Sequence, residues 1–386
     1  MKIAILTAGR FHVLDLAIEL ARLGHEVRFH SLVPPWQTRR FGLPARCNRW
    51  LGPLLGPLYL ACRGLSGTRA EAPAQRALVL AIDRVGAQLI GRCDAFIGMS
   101  GMSLHTIKRL KRSGATTFVE RGSMHIEAQK QILDAHRGPL RVGSDVPGWM
   151  VAREKAEYAA ADYISLPSRH AEESFLERGF DPSRLLRNPY GVSLDQFPAT
   201  TAPPPRPRRL LMVGTWSWQK GVDVLVESFV SLRQEYPDLE LHHVGALGDV
   251  PFPSDLPGAF HHDAVPQPEL TRHYAQAHVF VLASRQDGFG VVLSQALASG
   301  LPLVCTTRTG GFDLAKLLGG SPAITLTTPG DPTSLRDGIA TQLARLAPID
   351  GPRDLLGEVG RWRLSWRAYG ERWHANLVAR VAPHRP

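Results

Sequence analysis

Short apolar runs alternate with stretches of helical periodicity from the first residues onward. Ile3 to Leu6 is a continuous apolar run, the pattern of a strand buried on both faces. Val13, Leu14, Ala17, Ile18, Leu20, Ala21 and Leu23 then recur at helical spacing, and Gly24 stands where a helix-ending glycine is expected. Val27 to Phe29 resumes a strand, which completes a βαβ unit of a parallel sheet. Asp94 to Gly98, Ala115 to Val119 and Tyr163 to Leu166 predict further strands. Ile107 to Lys111 and Gly148 to Ala160 predict helices between them. Such alternation is the pattern of a doubly wound α/β sheet.

The pattern breaks near residue 200. Pro198, Pro203, Pro204, Pro205 and Pro207 crowd one short segment, which reads as a stiff, extended linker. Leu210 to Gly214 then starts a fresh strand, and Val224 to Leu232 predicts a helix. Leu239 to Val244, Val279 to Leu282 and Leu303 to Cys305 predict three more strands. The chain therefore divides into a first α/β domain over residues 1–197, a Pro-rich linker over 198–208 and a second α/β domain over 209–361. Trp362, Trp366, Tyr369 and Trp373 recur at helical spacing. They predict a terminal helix over 362–386, whose aromatic stripe packs back on the first domain.

Composition narrows the class. The chain has 386 residues, 44% hydrophobic and 21% charged. That suffices for two cores and excludes a disordered, collagenous or coiled-coil chain. Lys and Arg number 45 against 35 Asp and Glu, a net charge of +10, and 38 of the cations are Arg. This excess suits phosphate-bearing ligands, an anionic membrane or nucleic acid. No nucleic-acid-binding module stands out, and glycine-rich turns favour a small phosphate ligand. Cys47, Cys62, Cys93 and Cys305 are widely separated and read as reduced thiols of a cytoplasmic protein. Arg10 and His12 follow the first apolar run too closely for a signal peptide. No run reaches the ~18 apolar residues of a membrane span, and no metal-ligand cluster stands out.

In open parallel sheets, ligands bind outside the carboxyl ends of the strands, and a cleft between two such domains is the default site. Three turns of the second domain suit a phosphate ligand. Gly214-Thr215-Trp216-Ser217-Trp218-Gln219-Lys220-Gly221 combines glycines with a lysine ahead of a helix. Ser284-Arg285-Gln286-Asp287-Gly288-Phe289-Gly290 leads into a helix from Val291 to Ala298. Gln295 lies eight positions after Asp287. Taken alone, Asp287 could equally be a helix cap. Thr306 to Asp313 holds the pair Gly310-Gly311.

In this order and spacing, the motifs resemble those of family 4 glycosyltransferases of the GT-B fold. Gly24-His25-Glu26-Val27, Asn188-Pro189-Tyr190-Gly191-Val192 through Phe197, and Gly300-Leu301-Pro302 extend the resemblance over nearly the whole chain. It implies an α/β fold of two Rossmann-like, doubly wound parallel-sheet domains facing across a cleft. It also implies retaining transfer of a sugar from a nucleotide-diphosphate donor to a glycan or lipid-linked acceptor, in cell-surface polysaccharide or glycolipid biosynthesis. Lys220 then meets the diphosphate, Asp287 the hydroxyls of the transferred sugar and Gln295 the ribose. Gly9, Gly214, Thr215, Val265, Gly288, Phe289, Gly290 and Val291 complete the donor side, with Val265 beside the base. His125 is the expected histidine near the anomeric centre and joins Lys220 and Asp287 as the catalytic set. Arg10, His12, Glu120 and Arg121 are the acceptor-side candidates. The nucleotide-sugar is a co-substrate, and neither a cofactor nor a metal is implied.

The sequence departs from the family pattern at three positions. Thr215 stands where the family usually has an arginine, which leaves Arg285 or Arg121 as replacement cations. Asp287 is one methylene shorter than the usual glutamate. Gln295 is neutral, although an amide both donates to and accepts from a diol. These departures keep open a catalytically silent GT-B homologue acting as a binding or scaffold subunit. A GT-B sugar-nucleotide epimerase is the other enzymatic reading.

Residues 32–70 contain Arg39, Arg40, Arg46, Arg49, Arg63 and Arg69 but no Asp or Glu, together with Trp36, Phe41, Trp50, Leu54 and Tyr59. This composition suits an anionic bilayer surface. It equally suits apolar residues packed beneath solvated arginines. The first alternative predicts a cytoplasmic protein held peripherally on the inner face of the cytoplasmic membrane.

Overall fold

The computed structural model describes residues 1–135, 146–201, 203, 206–346 and 351–381. Two parallel sheets organise it. The first contains β1 (Lys2–Leu6), β2 (Glu26–Ser31), β3 (Asn48–Trp50), β4 (Ala95–Met99), β5 (Thr116–Glu120), β6 (Tyr163–Leu166) and β7 (Leu185–Arg187). Their spatial order is β3-β2-β1-β4-β5-β6-β7. The second contains β8 (Arg209–Val213), β9 (Glu240–Val244), β10 (Ala259–His262), β11 (Val279–Leu282), β12 (Leu303–Thr306) and β13 (Ile324–Thr327), in the order β10-β9-β8-β11-β12-β13. This is the doubly wound α/β architecture expected of a GT-B protein.

The apolar runs become central strands. Ile3, Ala4, Ile5 and Leu6 are fully buried, with Ile5 in register with Phe29 on one side and Ile97 on the other. Four strands escaped the sequence pattern: β3, β7, β10 and β13. They are the four edges of the two sheets, each of three or four residues. In both sheets the strand order reverses beside the first strand, between β1 and β4 and between β8 and β11. These two switch points are where such sheets open a ligand crevice.

The chain crosses between the domains twice. On the way out, Phe197 is fully buried, and Thr201 bridges to Pro352. Pro204 and Pro205 of the proline-rich segment lie outside the described residues. On the return, Val192 bridges to Ser365 and donates its N–H to Leu364 O at 2.8 Å. The aromatic stripe lies on two helices rather than one, Gly357–Leu364 and Trp366–Arg380. Ser365 separates them, its hydroxyl capping the second helix at Ala368 N. Trp362 is exposed, whereas Tyr369 and Trp373 are buried, with the Trp373 ring edge-on to Phe118 at 5.6 Å. Trp373 and Leu377 thereby share a core with Ile3 and Ile5 of the first sheet.

Residues 32–70 form a short helix (Pro35–Arg40), β3 and a longer helix (Gly52–Gly64). Their apolar residues are divided. Leu43, Leu51 and Leu55 are buried, while Trp36 and Leu60 are 64% and 66% exposed. No helix among the described residues is long and apolar enough to cross a membrane.

Candidate active site

The second-domain half of the site is built on the switch point between β8 and β11. The loop after β8 turns back so tightly that Gly221 has φ +68° and a side chain there would strike Ala283 O at 2.0 Å. Only glycine fits, both in conformation and in space. This close approach sets Lys220 beside the loop after β11, where its Nζ meets Asp287 Oδ2 at 2.5 Å. Gln219 fastens the two loops further, donating to Gln286 Oε1 at 2.8 Å. Asp287 Oδ1 accepts from Phe289 N at 3.4 Å, and Gly290, at φ +74°, opens the helix Val291–Ala298. The free N–H groups of that helix end suit an anion.

The first-domain half lies at the carboxyl ends of β1 and β5. His12, in the first turn of the helix Phe11–Arg22, meets Glu120 Oε1 through Nε2 at 2.9 Å. Its ring stacks on Tyr190 at 4.1 Å between centroids. Tyr190 also contacts Phe289 of the second domain at 5.4 Å, so it joins the two halves. Burial holds the Tyr190 hydroxyl in its neutral form, far above the usual phenol range. Glu120 Oε2 and the Tyr190 hydroxyl are buried with no hydrogen-bond partner among the described residues. Buried polar atoms are almost always satisfied, so both are exceptions.

The halves are held close. Ser168 Oγ donates to Gly288 O at 2.6 Å, Gln286 Nε2 to Ser123 Oγ at 2.6 Å, and Arg169 N to Asp313 Oδ2 at 2.8 Å. Beside these contacts the cleft widens into a cavity of about 170 Å³. Arg10, Asp15 and Trp366 line it together with Gln267, Val291 and Gln295. Burial pushes the Asp15 carboxyl up to about 6, against the pull of Arg10 and His12. Gln295 Oε1 accepts from the Tyr274 hydroxyl at 3.0 Å.

The structure brings most of the expected residues to this cleft. Lys220, Asp287, Gly288, Phe289, Gly290, Val291 and Gln295 surround one face, and Gly9, Arg10, His12 and Glu120 the other. Thr215 is exposed beside Gly214, and Val265 packs near the loop that carries Gln267.

Three expectations are corrected. His125 does not face the cleft. Its Nδ1 accepts from Glu127 N, capping the helix Ile126–Asp134, and Tyr158, Phe175 and Phe180 enclose its ring. Burial lowers this imidazole to about 4. His12 instead stands at the cleft, paired with Glu120. Arg285 does not replace the missing cation at Thr215, because it forms a two-pronged pair with Asp223 at 2.6 and 2.7 Å. Arg121 is likewise committed, to Met124 O, Gln129 and Glu154.

The sequence reading also missed Asp15 as a site residue and the bridging role of Tyr190. Asp15 stood three residues after His12, on the same helical face. Tyr190 was visible only as part of a motif.

Comparison with known proteins agrees with this geometry. The fold is GT-B. It matches sucrose-phosphate synthase from Thermosynechococcus elongatus with a TM-score of 0.66 at 19% identity, over 98% of this chain and 99% of that one. Anabaena HepE, solved in complex with UDP and glucose, matches with a TM-score of 0.64 at 13% identity, over 98% and 100%. Residues 207–345 match the family described as glycosyl transferases group 1. One curated relative is the GDP-mannose-dependent alpha-(1-6)-phosphatidylinositol monomannoside mannosyltransferase of Mycolicibacterium smegmatis. It is 27% identical over 294 residues, 68% of this chain and 70% of that protein. The chain is a glycosyltransferase of the GT-B type, and its second domain carries the group 1 match.

Proposed function

We propose that the chain is a family 4 enzyme that moves a sugar, with retention at the anomeric carbon, from a nucleotide-diphosphate donor to a glycan or lipid-linked acceptor. The observation that carries this reading is the arrangement at the cleft. The Lys220–Asp287 pair stands on one face, and Glu120 Oε2 and the Tyr190 hydroxyl, without a partner among the described residues, on the other. In the proposed reaction Lys220 leaves Asp287 for the donor diphosphate, and the helix end at Val291 adds its N–H groups. Asp287 is then released to accept from hydroxyls of the sugar. The anomeric carbon–phosphate oxygen bond breaks while the acceptor oxygen bonds to the same face. The acceptor proton passes to the departing phosphate. Lys220 and the helix end stabilise the charge that builds there. His12, fixed by Glu120 and Tyr190, is placed to hydrogen-bond the sugar. The nucleotide-sugar is a co-substrate, and the proposal assigns no resident cofactor and no metal.

The acceptor side of the proposal draws on residues 32–70. Exposed Trp36, Leu54, Tyr59 and Leu60 lie on a segment rich in arginine. Such a surface favours an anionic bilayer and a lipid-linked acceptor. The mycobacterial relative is itself named for a lipid acceptor. This points to work at the inner face of the cytoplasmic membrane, in glycolipid or cell-surface polysaccharide assembly.

The test is a calorimetric screen of UDP, GDP, ADP and their sugars, followed by transfer assays with vesicles that carry candidate acceptors. Saturable binding of one nucleotide, lost in Lys220→Ala, together with transfer, supports the proposal. Binding with neither transfer nor donor hydrolysis would instead establish a silent subunit.

A further inference from the structure

His243 is a buried histidine that the reaction sketched above leaves unused. It stands on β9, beside β8, and is fully buried, with its ring centroid 4.9 Å from Trp216, 6.1 Å from Phe252 and 5.0 Å from His261. An apolar side chain would fill this place without the cost of burying polar nitrogens. What the imidazole adds is a donor. Its Nε2 lies 2.8 Å from Gly214 O and its Nδ1 2.9 Å from His261 Nδ1. A carbonyl oxygen only accepts, so Nε2 carries the proton, and Nδ1 presents a lone pair to His261. Burial keeps the ring neutral, at about 4, which preserves this tautomer.

Gly214 opens the loop that carries Lys220. Its φ is +134°, a conformation open to glycine, whose peptide turns over easily. The bond from His243 fixes which way that peptide faces. Gly245 leaves room for the arrangement, because a side chain there would fall 2.1 Å from Gly214 O. The next turn of chain is fastened on the same side, with Trp216 N donating to Ala246 O at 2.9 Å. The peptide from Gly214 to Thr215 is planar and trans, so a carbonyl held on His243 sends the Thr215 N–H the opposite way, away from β9. The other neighbour of β8 is β11, whose following loop carries Asp287. Thr215 is exposed, and among the described residues its N–H has no acceptor. A reversed peptide would aim a carbonyl dipole at the same crevice, where an anion needs N–H groups.

We propose that His243 is a positioning residue for donor binding: it holds Gly214 O, and so keeps the first peptide of the Lys220 loop turned with its N–H toward the diphosphate. This rests on the nucleotide-donor reading given above. At Thr215, where an arginine is usual, the loop then presents a fixed main-chain donor from a residue that itself never touches the ligand.

The experiment titrates the full chain with UDP, GDP or ADP, whichever binds, and with the matching monophosphate. His243→Leu fills the space and cannot donate. His243→Gln places an amide nitrogen near the lost Nε2. The leucine variant is expected to weaken the diphosphate about tenfold and the monophosphate about twofold or less, and glutamine to restore the diphosphate to within about threefold of wild type. A leucine variant that binds the diphosphate like wild type overturns the proposal. So does one that weakens both ligands equally without rescue by glutamine, the result of a merely structural role. Hydrogen exchange of the Thr215 amide in the wild-type chain needs no variant to fold. It should slow with the diphosphate and not with the monophosphate, and unchanged exchange at saturating diphosphate overturns the proposal. Lys220→Ala separates this failure from failure of the donor reading: it weakens the diphosphate if that reading holds and leaves it unchanged if it does not. A chain that binds none of the three nucleotides overturns both.

Discussion

Replacing Gly288 by alanine would insert a methyl group between the two domains. A Cβ at this position falls 1.9 Å from Gly122 O, 2.8 Å from its carbonyl carbon and 2.9 Å from Ser123 Cα. All three obstacles are backbone or Cα atoms, so no rotamer change relieves them. A carbon–oxygen contact needs about 3.3 Å, so the domains must part locally by about 1.4 Å. The Ser168–Gly288 and Gln286–Ser123 hydrogen bonds, both 2.6 Å, would stretch beyond useful length. The same movement carries Glu120 and His12 away from Lys220 and Asp287. A misplacement of about 1 Å costs roughly a hundredfold in rate. Nucleotide affinity should change little, because Lys220 and the helix end at Val291 stay in place. The assay compares kcat at saturating donor and acceptor with the nucleotide Kd, using the melting temperature as a control for folding. An alanine variant with wild-type kcat would refute the idea that this contact sets the working distance between the domains.

Lys220→Ala and Asp287→Ala should each abolish measurable transfer, and Lys220→Ala should also weaken nucleotide binding at least about tenfold, as read by calorimetry. His12→Ala should lower kcat by about a hundredfold with little change in melting temperature. His125→Ala should do the reverse, costing about 1–2 kcal/mol for the lost cap while folded molecules keep their kcat; equal effects of the two in both assays would return the catalytic histidine to doubt. Asp15→Asn should raise the melting temperature at pH 7.5. Burial lifts this acid from 3.8 to about 6, so its ionised form costs stability that grows across that window and is fully present above it. Discounted for partial exposure, the gain is about 1–3 kcal/mol. The edge of the second sheet should be acid-labile. Burial holds His243 at about 4, below its usual 6.5, and it pairs with His261 at 2.9 Å. The unfolded chain protonates first, so stability is intact above pH 6.5 and declines toward pH 4. His243 alone would account for about 2 kcal/mol by pH 5, a fall that thermal melts across pH 7 to 5 should show and His243→Asn should reduce.

What the sequence revealed follows from where information sits along the chain. Central strands such as Ile3–Leu6 are buried on both faces, so they read as unbroken apolar runs. The edge strand Ala259–His262 has an exposed Phe260 and three partly exposed neighbours, and no run survives. The second-domain half of the site was legible because Lys220-Gly221 and Asp287 to Gly290 are contiguous motifs on loops after strands. In the first-domain half His12 and Glu120 were named as separate candidates from their turns, but their pairing and the stacking on Tyr190 were not legible, because the three meet only in three dimensions. His125 was the expected histidine because it stands in the turn after β5, where the resembling family carries one. The chain after Gly122 instead turns inward, and His125 becomes the cap of the next helix beneath three aromatic rings. Thr215 and Gln295 were visible as departures, but Asp15, which lines the same cavity as Gln295, lies on the opposite domain, where no spacing rule connects it to them.

The return of the last helix to the first sheet has a consequence for biosynthesis. Trp373 and Leu377 belong to the same core as Ile3, Ile5 and Phe118. During translation, domains generally fold as units, amino-terminal first. Here the amino-terminal unit emerges with part of its interior missing and stays open while the whole second domain is made. Its apolar surface is closed only when the final helix leaves the ribosome. The second domain, whose sheet is continuous from Arg209 to Thr327, can complete its sheet first, so the order of maturation runs against the order of synthesis.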